Sequence, residues 1–318
     1  YGQPNDPESL TARDLHSQYQ DEAILGFDKT LGSAWVTGAK LTVRKLQAAI
    51  DDVCDTDKIA DKMTANGQDP KSVIVPGCVI FNPGRSNRFS FANVNGNGRT
   101  EVTMSKDDWG FAQGAKRKYY ALDLYLEHPF DGKWQARVDY TFSRSYGNTE
   151  GQVKSDIGQD DVSKTQDWDF APLMENANGL LANNRTHQIK AYGSYAITPE
   201  WMVSGSLRIL SGSPKSCLGY YAGPGGGYGD QGGDPSGYYS SYHFCNGKPS
   251  HPGDKSMPWT KNLDLAVTYR PEFADHKLAF AVNIFNVTNE RKALQIDGTY
   301  EVQGAPGTVS NTYNSGTY

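Results

Sequence analysis

Four cysteines form two local pairs along the chain, Cys54 with Cys78 and Cys217 with Cys245. Neither pair has the spacing of a zinc-ligand motif, and no histidine cluster accompanies them, which argues against a zinc site. Each pair encloses a loop of about 25 or 29 residues, a suitable span for a disulfide. The sequence therefore predicts two disulfides and an oxidising compartment outside the cytoplasm, with four free thiols as the alternative.

Asparagine and glycine alternate over residues 93–98 in a pattern that shares features with a calcium loop. Asn93, Asn95 and Asn97 place amide oxygens at alternate positions, and a glycine occupies the sixth position. The first position is not an aspartate, however, and the twelfth holds Met104 in place of the usual glutamate. An Asn/Gly turn is the favoured interpretation, with a weak calcium site in loop 93–104 as the alternative. No other cofactor is expected.

A tyrosine-rich loop extends over residues 220–244. Aromatic side chains on loops stack on sugars or hold peptides, so these tyrosines are candidates for ligand binding. The alternative is a compact loop, tied by Cys217 and Cys245, that binds nothing. The candidates are Tyr220, Tyr221, Tyr228, Tyr238, Tyr239 and Tyr242.

No set of residues has the spacing of a catalytic site. The six histidines are scattered, mostly in predicted loops or turns, with no nucleophile placed to pair with them. The carboxylates of Asp51-Asp52 and of Asp160-Asp161 are adjacent in sequence, and adjacent residues of a strand point in opposite directions. The sequence therefore predicts a protein that is not an enzyme.

Alternation with a period of two residues is the dominant pattern, and it predicts β-strands that come in pairs. From Trp134 the sequence reads WQARVDYTFS, and the segment from Tyr120 to Glu127 alternates in the same way. An Asp131-Gly132 step between the two suits a hairpin turn. We expect eight strands in four pairs, near residues 22–46, 116–149, 184–212 and 259–290, separated by long loops near 47–115, 150–183, 213–258 and 291–318.

Each predicted strand has one apolar face and one face that carries charged residues. Apolar faces along whole strands, with short turns and long loops, are typical of an antiparallel transmembrane β-barrel whose charges line a wet lumen. Trp134, Trp201 and Trp259 lie near strand ends, where a barrel places its interfacial aromatic residues. The lumen-facing candidates are Asp123, Glu127, Arg137, Asp139, Lys190, Arg208, Asp264 and Arg270.

Composition and charge exclude two classes of protein. The net charge is −5 at pH 7, so no broad basic face is available to bind nucleic acid. The mean hydropathy is −0.63, and no stretch approaches the roughly 18 apolar residues of a transmembrane helix. A protein that crosses a membrane with strands, or a secreted β-protein, fits this composition.

Two segments resemble the barrel region of TonB-dependent outer-membrane receptors. They are residues 38–55, GAKLTVRKLQAAIDDVCD, and residues 116–151, which contain YYALDLYLEHPFDGKWQARVDYTFSRSYG. The nearest likeness is the Oar-like, OmpA-related branch, and residues 280–295, FAVNIFNVTNERKALQ, resemble the penultimate-strand region of the same family. The resemblance extends over most of the chain and is strongest within residues 20–55, 115–150, 183–213 and 259–296.

The resemblance implies a barrel of 22 strands, of which this chain supplies about eight, in the outer membrane of a Gram-negative bacterium. Such a barrel is closed by a plug domain and takes up a scarce substrate with energy delivered through TonB. Plug and TonB-contacting segment are not recognised in these residues, and both ends read as loop. The chain is therefore expected to be roughly the last third of a larger receptor.

The expected partners are outer-membrane lipid and lipopolysaccharide, the remainder of the barrel with its plug, and TonB through the N-terminal part. Candidate contacts to lipopolysaccharide phosphate are the basic residues near the strand tops, Lys116, Arg117, Lys118, Arg144 and Arg185. Two other functions stay open at this point. One is a small closed barrel with a structural or adhesive role, and the other is a secreted soluble β-protein that binds carbohydrate.

Overall fold

A sheet of eight long antiparallel strands dominates the structure, a computed structural model that describes residues 6–151, 153–159, 165–224, 234–302 and 305–309. The strands follow one another across the sheet in chain order. The predicted antiparallel β fold is confirmed. The strands are β1 (Tyr19–Leu31), β2 (Trp35–Ala48), β3 (Arg117–His128), β4 (Trp134–Gly147), β5 (His187–Ala196), β6 (Trp201–Leu210), β7 (Thr260–Tyr269) and β8 (Phe280–Ile284).

The connections within the hairpins lie at one end of the sheet; residues 32–34, 129–133 and 197–200 form short turns, and residues 270–279 form a longer one. In the turn between β3 and β4, Asp131 Oδ1 accepts hydrogen bonds from the backbone nitrogens of Lys133 and Trp134, at 2.8 and 2.9 Å. Gly132 has a φ of 96°, a conformation that favours glycine. The long connections between hairpins, residues 49–116, 148–186 and 211–259, all lie at the other end of the sheet.

The sheet is open within the part of the chain that the structure describes. The strand order begins at β1 and ends at β8, and these two strands do not pair with each other. A two-residue strand, Gly179–Leu180, adds to β4 beside the main path. The number of strands in a closed barrel therefore stays a prediction.

The two faces of the sheet differ in chemistry, as the period of two residues predicts. On β3 and β4 the residues Leu124 and Val138 are 40% and 45% exposed, and they belong to a continuous outward face of aliphatic and aromatic side chains. The intervening residues point to the opposite side of the sheet, which we call the inner face, and Asp123, Arg137 and Asp139 lie there. One face is thus suited to lipid and the other to water.

The connection over residues 49–116, predicted as a long loop, contains a folded unit of its own. It holds helix α2 (Asp57–Ala65) and four short strands, and α1 (Pro7–Leu10) packs against it. Its core is aromatic: Phe81, Phe89, Phe91 and Trp109 are at most 1% exposed. The short strands, in antiparallel pairs, are Asp51–Val53 with Val79–Phe81 and Asn87–Ala92 with Arg99–Met104.

The remaining elements are short. Among the described residues, 3₁₀ helices occupy Pro70–Ser72, Ser155–Ile157, Ala171–Met174 and Glu272–Ala274. Small strand pairs are formed by Pro214–Lys215 with Lys255–Ser256, by Phe244–Cys245 with Lys248–Pro249 and by Glu301–Val302 with Ala305–Val309. Among the described residues no helix has the length and apolar character needed to cross a membrane.

Candidate functional site

The centre of the inner face is a network of charged side chains around Arg137. Its guanidinium forms ion pairs with Glu127 at 2.9 Å and with Asp139 at 2.8 Å. The same group lies 4.3 Å from the ring centroid of Tyr125, a favourable cation–π distance. The Tyr125 hydroxyl donates a hydrogen bond of 2.6 Å to Asp28 on β1. Polar contacts on the inner side thereby join β1, β3 and β4.

A second set of contacts continues the network along the same face. Lys40 on β2 pairs with Asp123 at 3.3 Å, and the Thr141 hydroxyl donates to Asp123 at 2.6 Å. These groups line an open cleft of about 560 Å³. Charged and hydroxyl groups at its wall suit a polar, hydrated ligand better than an apolar one. The charged residues of the cleft are Asp28, Lys40, Asp123, Arg137, Asp139 and Lys190.

The other predicted lumen-facing residues differ in the contacts that they form. Lys190 on β5 and Arg208 on β6 are direct cross-strand neighbours, and no ion pair or hydrogen bond joins either side chain to another described residue. Asp264 instead accepts a hydrogen bond from the Asn286 backbone nitrogen at 2.7 Å. Arg270 lies just beyond β7, in the turn to β8, where its backbone nitrogen donates to the Glu200 carbonyl. The lumen-facing roles themselves stay predictions.

The two cysteine pairs are joined as disulfides, Cys54 with Cys78 and Cys217 with Cys245. Each lies within one long connection at the same end of the sheet. In the described part of the chain, Asp52 is the one carboxylate that lies in a close group with disulfide sulfurs, those of Cys54 and Cys78. Because both sulfurs of that group are bonded to each other, they have no thiolate to offer a metal.

Three of the five tyrosine candidates that the structure describes lie inside the loops rather than on their surface. Tyr220, Tyr221 and Tyr242 are at most 5% exposed, and the Tyr221 ring contacts Tyr242 with a centroid distance of 5.3 Å. Burial, with the hydrogen bond to Glu175, raises the pKa of Tyr221 to about 12. This packing favours the interpretation of a compact, disulfide-tied loop.

Two further tyrosine candidates have other surroundings. Tyr238 is partly buried and its hydroxyl donates to Asp169, whereas Tyr239 is 48% exposed and available to a ligand. Tyr228 lies outside the described residues, as do Asp160 and Asp161.

The asparagine repeat forms the turn between Asn87–Ala92 and Arg99–Met104. Asn93 Oδ1 accepts from the Thr100 hydroxyl at 2.9 Å, and Asn95 Oδ1 accepts from the Asn97 backbone nitrogen at 2.9 Å. Gly96 has a φ of 74°. These amide oxygens serve the turn itself, and the calcium site stays a prediction.

A cluster of buried ionisable side chains lies where the three long connections meet. Its members are Asp51, Lys154, Asp167, Asp169 and His243, each at most 8% exposed; we call it the buried charge cluster. Lys154 Nζ pairs with Asp167 Oδ1 at 2.5 Å. Burial alone would lower the pKa of Lys154, but the attraction of Asp167 and other nearby carboxylates raises it overall. Sequence reasoning missed this cluster because its members come from three separate connections and no local spacing marks them.

The carboxyl groups and the imidazole of the cluster have strongly shifted pKa values. Burial, with Asp167 nearby, raises the pKa of Asp51 to about 8. Burial likewise raises the pKa of Asp169 to about 6, against a hydrogen bond from Tyr238 that lowers it. Burial, with Lys154 nearby, lowers the pKa of His243 to about 3. In all three groups the charged form is therefore less stable in the folded protein than in water.

These shifts predict that the loop assembly loses stability as the pH rises from 6.5 to 8. Asp51 takes up a proton on folding, so its contribution is present below a pH near 4 and is lost on the way to 8. His243 acts oppositely, since its contribution is present above about pH 6.5 and lost as the pH falls towards 3. Of these two groups, only Asp51 changes the stability between pH 6.5 and pH 8. The loss is at most about 1.4 kcal/mol per pH unit.

The measurement is the rate of loop proteolysis in detergent at pH 6.5 and pH 8. The wild type is expected to be cleaved faster at pH 8, after correction for protease activity on an unfolded substrate. Asp51→Asn cannot ionise and should show a smaller difference between the two pH values. An undiminished difference in that variant would assign the effect to other groups.

A relative with a similar sequence is a transporter. Over 197 residues, 60% of this chain, the sequence is 30% identical to the TonB-dependent transporter Oar of Myxococcus xanthus. The chain spans only 17% of the length of that relative. The similarity agrees with the resemblance predicted from the sequence, and with the expectation of transport rather than catalysis. No protein-family profile matches the chain.

One solved structure is also similar to the chain. It is the crystal structure of the outer membrane transporter YddB from Escherichia coli, with a TM-score of 0.49 and 13% sequence identity. The match covers 89% of this chain and 30% of that one.

Proposed function

We propose that this chain is part of the wall and outer loops of a transporter in the outer membrane of a Gram-negative bacterium, and that the protein imports its substrate with energy delivered through TonB. The observation that carries the proposal is the division of one sheet into an apolar outward face and a charged inner face. The sequence similarity to a TonB-dependent transporter supports the same conclusion.

The outward face distinguishes this proposal from a soluble β-protein. Each of the eight strands has at least one large apolar residue on this face that is between about 37% and 75% exposed, for example Leu25 at 74%, Leu126 at 42% and Val282 at 65%. A soluble sandwich buries such a face against a second sheet, but among the described residues these outward side chains remain exposed. Exposed apolar area on this scale requires a lipid environment or further protein to cover it.

The inner face supplies the path of the substrate. The Arg137 network and the adjoining cleft present carboxylates, cations and hydroxyls towards the lumen, where a polar substrate exchanges hydration for contacts with the wall. The disulfide-tied loops close the outer end and make the first contact with the substrate. A plug domain and the segment that binds TonB belong to the proposed mechanism and are supplied from outside these residues.

The test is energised uptake by the protein expressed from its native gene. A strain that lacks the gene is complemented with wild type, with Arg137→Glu or with Val138→Ile, and the culture medium is compared by untargeted mass spectrometry. We expect at least one compound to be depleted only by strains with the wild type or Val138→Ile. Arg137→Glu should reduce its uptake several-fold, because the charge reversal disrupts the inner face while the outward control leaves it intact.

The energy source is tested in the same strains. Uptake should stop when TonB is removed or when an uncoupler collapses the proton gradient, and the protein should fractionate with the outer membrane. Uptake that persists without TonB would refute the proposed mechanism. Fractionation with soluble proteins would refute the membrane assignment as well.

A further inference from the structure

Three cations lie side by side on the outward face near the loop end of the sheet. Lys45 on β2 and Lys118 on β3 are direct cross-strand neighbours. Arg144 on β4 is opposite Tyr120, one outward position below Lys118. All three side chains are exposed, whereas the intervening inward residues Ser143 and Ser145 are buried. Like charges in such positions repel each other, so the arrangement calls for an anion.

The height of these cations in the membrane follows from an aromatic cluster at the turn end of the same strands. The rings of Trp35 and Trp134 contact His128 with centroid distances of 5.0 and 3.9 Å. Lys45, Lys118 and Arg144 each lie ten residues along their strand from a member of that cluster. Ten residues of a strand tilted by about 40° rise about 25 Å, the height of the apolar band of an outer-membrane barrel. The cations therefore lie at the level of the outer-leaflet head groups.

On β2, β3 and β4 the outward residues between the two levels carry no charge. A lysine or arginine within the apolar band is costly, and Lys29 on the neighbouring β1 lies opposite Thr37, near the turn end of the band. In order along the strands, the uncharged outward residues are Thr37, Ala39, Leu41 and Val43 on β2, Tyr120, Leu122, Leu124 and Leu126 on β3, and Ala136, Val138, Tyr140 and Phe142 on β4.

The structure separates these cations from other basic residues near the strand tops. Arg117 points inward, and its Nη1 donates to the Glu150 carbonyl at 2.6 Å. Lys116 Nζ donates to Gln113, and Arg185 Nη1 donates to the Ser211 carbonyl. Lys45, Lys118 and Arg144 form no ion pair with a carboxylate in the part of the chain that the structure describes.

An acidic residue and a polar cleft lie beside the three cations. Asp21 lies opposite Lys45 on β1, where its Oδ2 accepts from Gln47 at 2.7 Å. A polar cleft of about 450 Å³ opens beside Arg144. Arg144 itself lies over the Tyr146 ring at 5.5 Å, and the Asn178 amide donates to the Tyr146 hydroxyl. Polar side chains hydrogen-bond to sugar hydroxyls and aromatic rings stack on sugars; in this cleft such groups are Tyr146, Asn176, Asn178 and His251, with Asp254 also at its wall.

We propose that Lys45, Lys118 and Arg144 bind the phosphate groups of a phosphorylated glycolipid of the outer leaflet, with the sugar in the cleft beside Arg144 and the acyl chains along the outward face. The proposal rests on the outer-membrane placement given under Proposed function, but it does not depend on transport. Charge complementarity, height in the membrane and the adjoining polar cleft all select a lipid of this class over a zwitterionic phospholipid.

The experiment compares two variants with matched charge changes in the protein expressed from its native gene. Lys118→Gln with Arg144→Gln removes one lysine and one arginine from the outward row, and Lys190→Gln with Arg208→Gln removes the same two types from the inner face. Each protein is purified in detergent and titrated with bis-phosphorylated lipid A, with dephosphorylated lipid A and with inorganic phosphate, and the bound lipid is counted by native mass spectrometry.

We expect wild type and the inner-face variant to bind bis-phosphorylated lipid A equally well, and the outward variant to bind it roughly tenfold more weakly. The dephosphorylated lipid should bind weakly to all three proteins, and inorganic phosphate should not compete, because it lacks the sugar and the chains. The proposal is overturned if the outward variant keeps wild-type affinity, if phosphate removal leaves wild-type binding unchanged, or if inorganic phosphate displaces the lipid. Heat-modifiable gel mobility checks that every variant is folded.

Discussion

Replacing Lys154 with methionine is expected to destabilise the loop assembly by about 3–5 kcal/mol, since it leaves Asp167 as a buried carboxylate without its ion-pair partner. Lys154 and Asp167 are 3% and 8% exposed, and their atoms approach to 2.5 Å. Burial at this level leaves little room for water to replace the lost ammonium group. The nearby Asp51 and Asp169 cannot replace the ammonium group, because a carboxyl group carries no positive charge in either protonation state. The measurement is the urea dependence of loop proteolysis in the detergent-solubilised protein.

The matched control removes both charges at once. In Lys154→Met combined with Asp167→Leu no uncompensated charge remains, and replacement of a buried ion pair by apolar residues of similar volume is often close to neutral. We expect the double variant to recover most of the loss seen in the single one. If the double variant were as unstable as the single variant, then packing around the aliphatic part of Lys154, and not its charge, would hold the loops together.

The direction in which strand residues point could be predicted from the sequence because it depends only on local geometry. Successive side chains of a strand alternate between faces whatever the partner strands are, so the alternation alone assigns Leu124 and Asp123 to opposite sides of the sheet. The hairpin turns are equally local: Asp131 and Gly132 supply the side-chain acceptor and the backbone conformation that the turn needs. The short turns then predict that the two strands of each hairpin are neighbours in the sheet.

The contents of the long connections could not be predicted, because their contacts join residues that are distant in sequence. Phe111 packs against Trp168 with a centroid distance of 5.2 Å, and these rings come from different connections. Trp168 also has a φ of 70°, which no propensity of tryptophan indicates. The sequence shows that these segments are rich in aromatic residues, but nothing local distinguishes a buried ring from one that is free to bind a ligand.

The same limit explains the mixed outcome for the candidate sites. Aromatic chemistry makes Tyr221 and Tyr242 candidates for ligand binding, yet they form a small core with Leu173 and Phe244. Conversely, sequence reasoning missed Lys40 on β2, although its position on an alternating strand places it on the inner face beside the Arg137 network. Cross-strand register decides which charges meet, and register between hairpins is set by the whole sheet.

Two adjacent residues of β7 give the most direct test of the two faces. Leu265→Arg places a cation on the outward face near the middle of the strand, where burial in lipid costs about 2–4 kcal/mol. Ala266→Arg places the same side chain on the inner face, between Ser204 and Asn283, where it remains hydrated. In lipid vesicles we expect the free energy of unfolding of Leu265→Arg to be about 2–4 kcal/mol lower than that of wild type. The free energy of unfolding of Ala266→Arg should be close to the wild-type value. The measurement is the urea dependence of folding, followed by heat-modifiable gel mobility. Equal losses in both variants would contradict a lipid-facing side, and a greater loss for Ala266→Arg would mean that the faces are reversed.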